Sequence, residues 1–122
     1  MNEQKTVKKF TINRQSWIRG TGDGKLHTKN HRQCCLGFLC RAAGFSVKDI
    51  TEKTLPGDVE SLDLETLFPA VSQHVFASVN DAALSDSAWI SGKLVPIVSE
   101  EQREQILIRL FKDNNIKVTF IN

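Results

Sequence analysis

Apolar residues along this chain recur at periods of about two and about 3.6 residues, and the alternation of the two periods predicts a mixed α+β architecture. Over 7–12, Phe10 and Ile12 fall on one side and Lys9 and Thr11 on the other, as in a strand. Over 116–121, Ile116, Val118 and Phe120 share a face against Lys117 and Thr119. Each terminal strand needs a neighbour, so the two are expected to pair with one another. Between them, Cys35, Leu36, Leu39, Cys40 and Ala43 form one helical stripe closed by Gly44. Val71, Val75, Phe76 and Val79 repeat the pattern, with Pro69 as the expected first helical residue and Asn80-Asp81 as the stop. Ile106, Leu107, Leu110 and Phe111 make a third stripe. Ser99 and Gln102 form a capping-box pattern at its start, and Asn114-Asn115 is positioned to turn the chain into the last strand.

The remaining segments are shorter. Asn13 is placed to cap a helical turn through Trp17 and Ile18 that ends at Gly20. Gly20-Thr21-Gly22-Asp23-Gly24 reads as a loop. Residues 46–50 suit one helical turn, and Pro56-Gly57 marks a loop. Trp89-Ile90-Ser91 and Leu94-Val95 flank Gly92-Lys93 as a hairpin with Gly first in its turn, and Pro96 places any second strand at an edge. The fold expected is one α+β domain over 1–122, a small sheet of the N- and C-terminal strands with helices packed on it.

Composition adds boundaries. At 122 residues and 40% apolar content, the chain can bury a core without disulfides or metal. No apolar run approaches the ~20 residues of a membrane span. The first twelve residues carry four charges and no signal-like apolar stretch. Three cysteines, two of them adjacent, make a poor disulfide framework. A cytosolic protein with no membrane partner is the expectation. The net charge of +2 is unevenly divided: residues 1–55 hold eleven Lys/Arg and four Asp/Glu, and residues 56–122 hold five and ten. That division fits either a basic face for an anionic partner or neutralisation between the halves across the fold.

Three chemistries are open to these residues. Cys34 with His27 or His31 has the residue types of a thiol nucleophile and its base, although Cys35 and Cys40 belong to an apolar stripe. His27, His31, Cys34 and Cys35 are zinc-type ligands, but their spacing is not that of a known finger and no second ligand pair follows. Arg19, Lys25, His27, Lys29, His31 and Arg32 surround the glycine loop just before a helix start, a setting for a nucleotide or other phosphorylated small molecule. The glycine order is neither a Walker loop nor a dinucleotide fingerprint, and a solvated loop remains the plainer reading. Nucleic acid is not favoured: no aromatic platform interleaves the basic stretch. Nothing in the sequence requires a cofactor.

Several segments together resemble a family of small tailed-bacteriophage proteins of no known activity. They are Arg14-Gln15-Ser16-Trp17-Ile18-Arg19-Gly20, the Cys34-Cys35-Leu36-Gly37-Phe38-Leu39-Cys40 helix, the Val79-Asn80-Asp81-Ala82 turn, and the acidic-start helix and strand from Ser99 to Asn122. The family tends to run from its Asn-Asp turn almost directly into the last helix. Here Trp89 to Val98 intervene, so a hairpin or partner surface is peculiar to this chain. The resemblance implies a phage origin, the host cytoplasm as setting, and no catalytic residues to transfer. It implies a non-enzymatic accessory protein that binds and modulates a host component, counter-defence being one such role. Two versions follow: a protein surface including Trp89 and the 88–98 insertion engages a host protein, or the 19–32 loop captures a phosphorylated ligand.

Overall fold

A computed structural model describes residues 4–22 and 24–122; Asp23 of the glycine loop lies outside them. In chain order the elements are β1 (Lys9–Asn13), α1 (Cys35–Ala42), α2 (Val47–Ile50), α3 (Leu64–Leu67), α4 (Gln73–Asp81), β2 (Ser87–Ile90), β3 (Lys93–Pro96), α5 (Glu100–Asp113) and β4 (Lys117–Ile121), with 3-10 turns at Arg14–Ser16 and Pro56–Asp58. The architecture is α+β, a single domain with five α-helices among the described residues.

The two terminal strands do pair. β1 and β4 run parallel, with Phe10 opposite Val118 and Ile12 opposite Phe120. Their apolar face meets α5: Phe10 sets its edge on Phe111 at 5.0 Å between ring centroids, and Phe111 tilts over Phe76 of α4 at 4.3 Å. The helix α1 completes the core with buried Cys35, Leu36, Leu39 and Cys40.

Gly37 decides how closely α1 approaches the preceding loop. A Cβ there would collide with the carbonyl oxygen of Leu26, so the helix can lie against that backbone only with glycine at this position.

Several local expectations shift. The turn after β1 is a 3-10 helix that stops at Ser16; Asn13 does cap it, accepting the Gln15 N–H. Trp17 is already extended and bridges Gln33, because its indole is drawn into the core. The helix expected from Pro69 begins at Gln73, where the Ser72 hydroxyl accepts the His74 N–H, and the separate helix α3 is capped by Asp63. The hairpin turn is Ser91-Gly92, one residue earlier than expected. Both residues have positive φ, 52° and 81°, the backbone that matches the strand twist. At α5 the Ser99 hydroxyl accepts the Gln102 N–H, but the Gln102 carboxamide accepts from Val98 rather than closing the box on Ser99. Asn115 takes the left-handed turn at φ 64°, as expected.

Candidate functional site

Two regions carry the candidate residues, the loop from Arg19 to Arg32 and the hairpin of β2 and β3. The loop is stitched down on both sides. Gly20 and Gly22 donate their N–H groups to the Asn80 and Asp81 carbonyls at 2.8 and 2.9 Å. Leu26 N–H reaches Lys53 O, Glu52 N–H reaches His27 O, and Cys34 N–H reaches Lys25 O. Two of the glycine N–H groups that could cradle a phosphate, those of Gly20 and Gly22, therefore already hold the loop to the end of α4. Gly24 is pressed so closely on Asp81 that a Cβ would overlap its carboxylate.

The node beneath this loop is Asn80. Its Oδ1 accepts the Trp17 indole N–H at 2.8 Å and the Cys35 N–H at 3.0 Å, while its Nδ2 donates to Ile18 O and Asp81 Oδ1. Arg103 lies directly below, 0% exposed. Its guanidinium donates to the Val79 and Asn80 carbonyls and grips Glu100 through both Nε and Nη2. A buried charge is tolerated only when paired and fully hydrogen-bonded in this way.

The structure brings Arg19 and Arg32 together and scatters the other loop residues. Arg19 stacks on the Trp17 ring at 4.4 Å and pairs with Glu100 at 3.1 Å. Arg32 donates to Trp17 O. Both line a shallow groove of about 330 Å³ with Trp17, Ile18, Thr21 and Glu100, whose carboxylate opposes an anion there. Lys25 pairs with Glu52 on another side. Lys29 and His31 are exposed, and His27 is buried with its ring edge-on to His31 at 5.6 Å. Burial first, then the neighbouring His31 and Arg41, hold His27 below the usual histidine range. Arg14–Glu104 and Arg19–Glu100 join the basic first half to the acidic second half, so part of the charge asymmetry is neutralised across the fold.

The thiols are core groups. Cys34 is 5% exposed, and burial pushes its thiol up to about 12, as it does for Cys40, while Cys35 is raised well above the ordinary value. A thiol so raised stays protonated near neutral pH and is not a nucleophile there. Among the described residues no group of three or more His, Cys, Asp or Glu is arranged to hold a metal ion.

The hairpin is different in kind. Trp89 faces Leu94 across the ladder and Ser87 faces Pro96. Side chains alternate, so Trp89, Leu94, Pro96 and, past the strand end, Val98 point outward, while Ala88, Val95 and Ile97 point inward. The outward set is open to solvent: Trp89 is 58% exposed, Leu94 58% and Val98 66%, with Leu84 nearby in sequence at 49%. The inward set is buried or half-buried. α4 holds the hairpin from one side, where the Ser78 hydroxyl accepts the Trp89 N–H at 2.8 Å. The β3 side has no further strand among the described residues.

Sequence reasoning singled out Trp89 and the 88–98 insertion around it, which contains Leu94 and Val98, but missed Arg103 and Asn80 as structural centres. Spacing carried a signal for the last two. Arg103 precedes Leu107 by four residues and Asn80 follows Phe76 by four, which places each polar residue on an apolar stripe. No described helix is long and apolar enough to cross a membrane. Compared with known proteins, the chain matches no family model, no curated protein and no solved structure.

Proposed function

We propose that this chain is a non-enzymatic binding protein that engages another protein through the outer face of the β2–β3 hairpin. The observation that carries the reading is that this hairpin is apolar on both faces. A strand covered on one side alternates apolar with polar residues; one apolar on both sides has the pattern of strands covered on both. Leu94 to Val98 are apolar without a break, yet Leu94, Pro96 and Val98 face solvent. Exposed apolar clusters of this kind mark interaction surfaces, and a tryptophan at their centre is the usual binding anchor.

The resemblance to small phage proteins extends this reading to a setting. The partner is a host protein met in the bacterial cytoplasm, and the effect is modulation of a host process such as defence. Ligand capture by Arg19, Lys25, His27, Lys29, His31 and Arg32 has weaker support, since Gly20 and Gly22 direct their N–H groups inward and Arg19 and Lys25 are ion-paired.

Affinity capture from the bacterial host tests this with three tagged proteins compared at equal folding: the unaltered chain, Trp89→Ala, and the triple Lys25→Ala/Lys29→Ala/Arg32→Ala. The reading expects one host protein retained by the unaltered chain and the triple variant and at least tenfold depleted with Trp89→Ala. Retention by Trp89→Ala with loss in the triple variant would transfer the activity to the loop.

A further inference from the structure

Two buried side-chain atoms among the described residues have no hydrogen-bond partner, His27 Nδ1 and Gln33 Oε1, and they flank the same turn. The turn is closed by the Thr28 N–H on the Arg32 carbonyl and by the Arg32 N–H on the Thr28 hydroxyl. Its ends are fixed: Leu26 is 0% exposed, and Gln33 is bridged to Trp17. Between those ends, its tie to the segment after α2 is slight. The Glu52 N–H donates to the His27 carbonyl at 2.8 Å, and Lys25 pairs with Glu52 near the surface. Ion pairs of that kind contribute little. Both sides of the tie are strained, since His31 and Glu52 have φ of 63° and 62°, in the left-handed region that side chains disfavour. A segment held in this way sits at the low end of local stability.

The charges around the His27 ring make the tie sensitive to acid. The ring is 4% exposed and edge-on to His31 at 5.6 Å. The other charged side chains of its own loop are Lys25, Lys29 and Arg32. Helix α1 contributes Arg41, and α2 with the turn after it contributes Lys48, Asp49, Glu52 and Lys53. The two acids in this set are engaged elsewhere, Asp49 by Ser46 and Glu52 by Lys25. Burial, then His31 and Arg41, disfavour the charged ring, and the backbone at Thr28 is what favours it. In the imidazolium both ring nitrogens are donors. Protonation therefore places a cation, with an Nδ1–H that has no acceptor, in a pocket that answers neither.

We propose that His27 is an acid-operated latch: once protonated its ring leaves the pocket, and the 27–32 turn lifts from Glu52 while the helical core stays folded. The closed form is fully favoured above pH 6.5, the ordinary histidine value, and is lost as pH falls through the depressed value of the closed form. The lifting turn carries Arg32 away from the Trp17 carbonyl, so the groove that Arg32 shares with Arg19 and Glu100 changes shape with it.

Amide hydrogen exchange of the full chain, followed by NMR from pH 7 to pH 5 and corrected for the intrinsic pH dependence of exchange, tests the latch. The reporter is the Glu52 N–H, which the latch bond protects, and the references are the N–H groups of Leu107 and Phe111 in α5. The expected result is a loss of about tenfold in Glu52 protection between pH 7 and pH 5. At every pH Glu52 stays at least a hundredfold less protected than the two α5 residues, which marks opening of the turn without unfolding of the core. His27→Gln, which keeps a polar group without the charge, abolishes the dependence. If that variant fails to fold, His31→Gln at an exposed position decides: it removes one of the two charges acting on the ring and makes the loss at least twofold smaller. A Glu52 amide indifferent to pH, one protected as strongly as α5, or a loss unchanged in either histidine variant would each overturn the latch.

Discussion

The Trp17 indole N–H donates to Asn80 Oδ1 at 2.8 Å, in a core where both residues are 0% exposed. Through that one oxygen and its amide partner, the strand-end turn after β1, the start of α1 and the end of α4 are held at a single point. Asn80→Ala strands the indole N–H, the Cys35 N–H and the Ile18 carbonyl without partners. Urea unfolding should show a loss of at least about 3 kcal/mol, since each of the three orphaned buried groups costs about 1–3 kcal/mol. Asn80→Asp keeps the acceptor but loses the donor to Ile18 and faces Asp81, so it should also destabilise. An Asp variant as stable as the unaltered chain would show that the amide donor contributes nothing.

Gly37 and Gly22 separate steric need from conformational need. Gly37→Ala drives a methyl into the Leu26 carbonyl and should leave the chain unable to hold α1 in place, read as loss of the cooperative thermal transition. Gly22 has φ +73°, but a methyl added there would meet nothing within 4 Å, so Gly22→Ala should cost only about 1 kcal/mol. Equal effects from the two would contradict the close approach of α1 to the loop.

The strands and the stripes of α1 and α5 could be read from the sequence because period and burial agree: Phe10 and Ile12, Leu36 and Leu39, Leu107 and Phe111 are all buried, while of the α4 stripe Phe76 and Val79 are buried and Val71 precedes the helix. What could not be read were relations between distant segments. The Arg19–Arg32 loop looks like an anion cradle by composition. Only the fold shows its glycine N–H groups turned onto Asn80 and Asp81, about sixty residues away in the chain. Trp89 was visible as a candidate because it lies in the 88–98 stretch, whose pattern reads as a hairpin. Its pairing with Leu94 depends on the turn lying at Ser91-Gly92; a turn at Gly92-Lys93 would have set Trp89 opposite Pro96.

The buried thiols give a pH dependence on the alkaline side. Cys34 and Cys40 titrate at about 12 in the folded protein against an ordinary 9.0, so above pH 9 the unfolded chain releases protons that the folded one retains. Stability is fully present below pH 9 and falls as pH rises toward 12, by about 1 kcal/mol per thiol at pH 10. The chain has no tyrosine, so thiolate absorbance near 240 nm follows this without interference from phenolate. Ellman's reagent at pH 8 should label the thiols only as the protein unfolds; rapid labelling of Cys34 in the native protein would revive a nucleophilic role.

His27 gives the opposite dependence on the acid side. Burial holds its folded value below the ordinary 6.5, so the unfolded chain binds the proton more readily. This contribution is complete above pH 6.5 and is lost as pH falls through the depressed folded value. His27→Gln should flatten the fall in stability between pH 7 and pH 5, as measured by urea titrations at each pH. An unchanged slope would assign that fall to other groups.

The central claim, that the outer hairpin face binds a partner protein, is tested most directly by a photo-crosslinking residue placed at position 94, compared with one at exposed position 48 on α2, in bacterial host cells. The account expects a discrete crosslink to one host protein from position 94, none from position 48, and loss of the first when Trp89→Ala is added. Equal crosslinking from both positions, crosslinks only to a second copy of this chain, or none from position 94 would contradict it.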